Sequence, residues 1–252
     1  MSADFTFWHA LLLFAVGTVA GVLNVLAGGG SLLTLPVLLF LGLPAAMANG
    51  TNRVAILLQN VVAVQGFRHK RMLPLKLSLI CTLPALAGSV LGARLAVDIG
   101  EDAFRRILAG VMLGVCVLMV ADPTRRLRFD PAALTRGRLV ALAFTFLGIG
   151  VYGGFIQAGV GFLIITGLLL HGLDMVRINA VKVFVVMVYT AAALVVFVRA
   201  GQVDWVLGLA LAAGNALGGW LGSQIAVRQG HDWLRKLVLV VAVAFAVKLF
   251  WR

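Results

Sequence analysis

The sequence predicts an all-α integral membrane protein of two homologous repeats, four to five membrane helices each, inverted and with short Gly-interrupted half-helices. Three observations carry this expectation. Of 252 residues, 62% are hydrophobic and 12% charged, with a mean hydropathy of +1.07; a water-soluble domain carries roughly 25% charged residues. The apolar residues fall in long runs seldom broken by charge, which separates membrane helices from disorder. The second half of the chain also repeats the first. A bilayer offers the backbone no hydrogen bonds, so each N–H and C=O must pair within its own segment, and these runs lack the alternation of barrel strands.

The first apolar segment, 7 to 26, follows a start without positive charge and precedes many others, so it reads as a membrane element and not a cleaved signal peptide. Further segments fall at 30 to 43, 49 to 67, 75 to 97, 103 to 121, 139 to 157, 161 to 173, 179 to 198, 203 to 227 and 233 to 250. A comfortable span takes about 20 residues, so 30 to 43 and 161 to 173 read as re-entrant or half-helices. Trp8, Trp205, Trp233 and Trp251 stand at segment ends, where indole rings favour the headgroups, while Trp220 is assigned to packing. The division is 1–121 as an N-terminal membrane repeat, 122–138 as a basic cytoplasmic linker and 139–252 as a C-terminal membrane repeat.

The repeat is explicit. Gly88–Arg106 lies over Gly218–Lys236 with eight identities, at Gly88, Leu91, Gly92, Ala96, Val97, Gly100, Asp102 and Arg105. One residue of slippage upstream sets Ala27-Gly-Gly-Gly30 against Ala158-Gly-Val-Gly161, with Asn49 on Asn179 and Asn52 on Lys182. Five crossings per half make the repeats inverted and four make them parallel. Five crossings put the basic loops 68–76, 122–138 and 228–236 in the cytoplasm and Asp98, Glu101 and Asp102 outside, so inversion is favoured, although Lys248 and Arg252 then lie outside.

The net charge of +12 sits in those short loops, as in Arg68, Lys70, Arg71 and Lys76, and no basic, aromatic-interleaved domain exists to bind nucleic acid. Cys81 and Cys116 lie inside apolar runs and read as packing residues. His9, His69, His171 and His231 are scattered without ligand spacing, and Ser31 lacks a GxSxG context. No enzyme, metal or cofactor is expected. The nine acids all fall at segment ends or in loops, which disfavours a cation as cargo.

The glycine breaks Asn24–Ser31 and Gln157–Gly161 read in two ways. Glycine lets a membrane helix unwind and leave N–H groups at a following helix start, which suits an anion. It also lets backbones pack closely, the reading preferred for Gly88, Gly92, Gly214, Gly218 and Gly222. Arg53, after Asn49-Gly-Thr-Asn52, and Lys182, after Asn179, are the cations nearest a translocation path, with snorkelling to the interface as the alternative. Gln59 and Gln157 offer neutral donors. The absence of a P-loop points to transport driven by gradients.

The stretch AGGGSLLTLP, the turn NGTNR and the break GGFIQAGVGF, in two halves of about 250 residues together, resemble the sulfite exporter TauE/SafE family, also called the toluene-sulfonate uptake permease group. The resemblance covers essentially the whole chain. It implies a multi-pass permease of the bacterial inner membrane that moves small anions such as sulfite, sulfoacetate or other organosulfonates, here by alternating access between two halves. By position, the family's Gly-rich and Asn-bearing segments correspond to Gly28, Gly29, Gly30, Asn49 and Asn52, and to Gly159, Gly161, Asn179 and Lys182. The expected partners are that anion and the lipid bilayer; oligomeric state is open. The alternatives are a non-sulfur organic acid as cargo, or a membrane assembly protein without transport.

Overall fold

The computed structural model describes residues 7–121, 136–169 and 175–226. Within them the chain is all-helical: α1 Phe7–Leu26, α2 Ser31–Phe40, α3 Ala45–His69, α4 Leu75–Asp98, α5 Glu101–Ala121, α6 Arg136–Phe155, α7 Val160–Leu169, α8 Met175–Arg199 and α9 Trp205–Ala226. Five of these, α1, α4, α6, α8 and α9, are long and apolar enough to cross a membrane. The expected span 233 to 250 and most of the basic linker lie outside the described residues.

Local chemistry sets the helix starts. Pro44 and Pro74 stand immediately before α3 and α4, where the missing N–H costs nothing. Asp204 accepts a hydrogen bond from the Leu207 amide at 2.9 Å and caps α9. Glu101, opening α5, accepts from the Ala45 and Ala46 amides, so a carboxylate meets the positive end of α3 and ties the starts of α3 and α5 together.

Two expectations are corrected. NGTNR is not a turn: it lies inside α3, which begins at Ala45, because its polar side chains find partners on neighbouring elements instead of competing with the helix. Trp220 is half exposed on α9 and does not pack inside, since the buried side of that helix is made of Gly208, Asn215, Gly218, Gly219 and Gly222.

Glycine sets the closest helix pairs. A Cβ at Gly21 of α1 would stand 2.6 Å from the Asn215 carbonyl oxygen of α9, and one at Gly218 of α9 would stand 2.1 Å from the Thr18 carbonyl oxygen. Between α4 and α6, a Cβ at Gly92 would stand 2.0 Å from the Val151 carbonyl oxygen and one at Gly154 would stand 2.1 Å from that of Ser89. These are backbone-to-backbone seams of the kind small residues make in membranes, and packing is the role of Gly88, Gly92, Gly214, Gly218 and Gly222.

The same contacts give direction. Phe14 lies by Gly214 and Val25 by Gly222, so α1 and α9 are parallel; Ala85 lies by Gly150 and Gly92 by Val151 and Phe155, so α4 and α6 are parallel too. Thr51 lies by Gly208 and Gly66 by Ser223, which makes α3 parallel to α9. By contrast α3 and α8 are antiparallel: Gly50 meets Phe197, while Gln59 and Asn60 share a cavity with Lys182.

Overpacking a seam costs about 1–3 kcal/mol or more. Gly218→Leu is expected to lower the melting temperature of the detergent-purified protein by roughly 5 °C or more, whereas Gly110→Ala on α5, where a Cβ meets nothing within 4 Å, leaves it unchanged. Equal melting temperatures by thermal shift would remove the seam from the account.

Candidate functional site

Two helices stop short inside the protein. After α1 the chain turns at Gly28, with φ +76°, and its amide donates to the Leu23 and Asn24 carbonyls at 3.0 and 3.1 Å, closing the helix in the manner of a glycine C-cap. After α6 it turns at Gly159, with φ +69°. Both positions need glycine for φ alone. The two breaks touch: a Cβ at Gly28 would lie 2.3 Å from the Gly161 carbonyl carbon, and one at Gly161 would lie 2.4 Å from the Gly28 Cα. Gly30 takes an ordinary helical φ of −60°; it is small because the Ala20 carbonyl would lie 2.1 Å from its Cβ.

A helix that ends in a membrane leaves carbonyls that need donors, and here each broken end is capped by a helix from elsewhere in the chain. At the end of α6, Arg53 of α3 donates Nη1 to the Gly153 carbonyl at 3.0 Å and to Gln157 Oε1 at 2.9 Å, and Nη2 to the Gly154 carbonyl. Asn49 adds Nδ2 to the Phe155 carbonyl at 2.8 Å. The Arg53 guanidinium also lies 4.5 Å from the centroid of the Phe197 ring, a cation–π contact. At the end of α1, Lys182 of α8 donates Nζ to the Val25 carbonyl and to Asn179 Oδ1, both at 2.7 Å. Cations at helix C-termini also meet the negative end of the dipole.

Beside Lys182 lies a cavity of about 20 Å3, room for one water-sized group. Lys182, Ser31, Asn24, Gln59, Asn60, Gln157 and Tyr189 line it, with the glycine contact Gly28–Gly161 as one wall. Asn24 donates to Gln59 Oε1 at 3.0 Å, and Gln157 Nε2 donates to the Tyr189 hydroxyl at 3.2 Å and to Thr190 Oγ1 at 3.1 Å. No carboxylate lines the cavity, and no buried Asp or Glu occurs among the described residues. The starts of α2 and α7, at Ser31 and Val160, both abut it.

The chain matches the Sulfite exporter TauE/SafE family over residues 13–249. It belongs to that family. Among its relatives are a probable membrane transporter protein, ORF9, of Sinorhizobium, 29% identical over 98% of this chain and 94% of the relative, and one of Haemophilus influenzae, 27% identical over 95% and 94%. The probable membrane transporter protein YfcA of Escherichia coli is 27% identical over 95% of this chain and 89% of its own. No solved structure matches. The chain is thus a multi-pass membrane protein of a transporter family.

For this TauE/SafE protein, the candidate residues divide. Gly28, Gln157, Gly161 and Lys182 line the cavity. Arg53, Asn49 and Asn179 brace the broken ends, Asn52 accepts a hydrogen bond from Thr34 Oγ1 at 2.7 Å, and Gly29, Gly30 and Gly159 shape the breaks. Both cations are buried, so neither snorkels to an interface. Asn24, Ser31, Asn60 and Tyr189 were not assigned from sequence. Tyr189 stands seven residues after Lys182 and Asn60 seven after Arg53, a spacing that keeps side chains near one helix face.

Removing the guanidinium strands the Gly153 and Gly154 carbonyls, and hydrogen bonds to charged groups are worth about 1.5–3 kcal/mol each. Arg53→Met is therefore expected to destabilise the protein in micelles by about 3 kcal/mol or more, and Arg53→Lys, which lacks the planar fork, to recover only part. Unfolding curves that superimpose on the wild type would refute the cap.

Proposed function

We propose that the protein is a secondary transporter that moves small anions such as sulfite or organosulfonates across the bacterial inner membrane by alternating access. The observation that carries this reading is the cavity beside Lys182: a buried amine, a serine hydroxyl and two helix starts converge on it, and no carboxylate opposes them. Helix N-termini and ammonium groups favour anions, and sites between broken helices are the usual location of transporter cargo. The cavity has room for about one water-sized group, so a sulfite or sulfonate group requires it to widen.

Inverted repeats support alternating access. Exchanging the halves sends α1 to α6, α2 to α7, α3 to α8 and α4 to α9, and the observed pairings exchange with them: α1 packs on α9 as α6 packs on α4, and α3 on α9 as α8 on α4. The antiparallel course of α3 and α8 favours inversion, since parallel repeats would align these two helices. The basic turn Arg68–Arg71 then shares one end of the helices with Arg136 and Arg138, which favours that end as cytoplasmic, and Glu101, Asp102 and Asp204 occupy the other.

Counterflow of radiolabelled sulfoacetate in proteoliposomes tests the reading, with malonate as the matched non-sulfur acid. The wild type is expected to exchange sulfoacetate. Lys182→Gln, which loses one charge-assisted hydrogen bond of about 1.5–3 kcal/mol, is expected to lower kcat/KM by roughly 10- to 100-fold while inserting normally. No exchange of either acid by the wild type would exclude this function.

A further inference from the structure

We propose that Lys182 carries a proton together with the anion, so that transport is proton-coupled symport through this one amine; this rests on the anion-permease reading above. The argument begins with the number of donors. Lys182 is 2% exposed, and its Nζ has two partners, the Val25 carbonyl and Asn179 Oδ1, both neutral. A neutral amine has two N–H groups and satisfies both. An ammonium has a third, and the cavity is the space left for its acceptor.

The surroundings supply no side chain of opposite charge, only the carbonyl end of α1. Among the described residues, the titratable side chains set inside the helices packed around Lys182 are Arg53 on α3, Cys81 and the exposed Arg94 on α4, Tyr152 on α6 and Tyr189 on α8 itself; α2 and α7 bring none, and α1 brings only His9 near its far end. Arg53 is spent on the end of α6, and the Tyr152 hydroxyl donates to the Ala158 carbonyl at 2.6 Å. Tyr189 lines the same cavity as a neutral hydroxyl. The described acids, Asp98, Glu101, Asp102 and Asp204, stand at helix ends.

A buried ammonium without a counter-ion is costly, and lysine, unlike arginine, sheds the cost by releasing its proton. The empty site therefore favours the amine, and an anion entering the cavity favours the ammonium. The balance is R–NH2 + H+ + A− giving R–NH3+·A−, with both released on the far side. For a monoanion the loaded and the empty carrier then differ by no net charge, so neither form carries a lone charge across the bilayer.

The test uses methanesulfonate, which stays a monoanion and carries no proton of its own, in proteoliposomes holding a trapped pH dye with the potential clamped at zero. Uptake is expected to acidify the lumen, and an imposed gradient to accumulate the anion up to roughly tenfold per pH unit, the limit for one proton per anion. Lys182→Gln and Lys182→Arg are both expected to abolish the proton signal, the second while still exchanging labelled methanesulfonate. Wild-type uptake without acidification, or acidification that survives Lys182→Gln, overturns the proposal and leaves the permease reading standing. No counterflow of methanesulfonate or sulfoacetate by the wild type would instead remove the permease reading beneath it.

Discussion

A helix that stops inside a bilayer must find donors for its last carbonyls, because neither lipid nor bulk water is there to supply them. This constraint organises the centre of the protein. The end of α6 is closed by Arg53 and Asn49 from α3, and the end of α1 by Lys182 from α8. Each cap crosses to a helix distant in sequence. The breaks therefore cannot move independently of α3 and α8, and those two long helices, antiparallel and in contact, become the frame on which both breaks hang.

The glycine seams serve the same end. Helices α1 and α9, and α4 and α6, approach backbone to backbone, so their faces leave no room for side chains, and the polar groups concentrate on α3 and α8. Without a hydrophobic drive between helices in lipid, such close packing is what holds a bundle together. Large apolar side chains such as Phe144, Leu83 and Leu209 are left pointing outward, as a lipid-facing surface requires.

The long helices were legible because their apolar runs have span length. The start of α3 was not, for NGTNR is polar and becomes helical only when Asn49 reaches Phe155, 106 residues away, and Asn52 meets Thr34. The breaks were located correctly, but sequence cannot divide three consecutive glycines into one that turns, Gly28, and one that lets Ala20 approach, Gly30. Asn24 and Tyr189 are not singled out by the sequence for a related reason: each gains meaning from a partner distant in the chain, Gln59 on α3 and Gln157 in the second break respectively. Periodicity shows which face of a helix a residue shares, and long-range contact decides what that face meets.

The two caps also explain why one cation borders the cavity, Lys182, and the other, Arg53, does not. In the repeat alignment Lys182 falls on Asn52, so Arg53 falls on Val183, a buried apolar residue. One residue along a helix is a rotation of about 100°, which aims the two basic side chains in different directions from α3 and α8. Arg53, with three acceptors and the Phe197 ring, turns both terminal amino groups to closing α6, its Nε having no partner. Lys182, with two acceptors, closes α1 and still borders open space. A single-residue displacement of charge between α3 and α8 is enough to turn one cap into structure and leave the other facing open space.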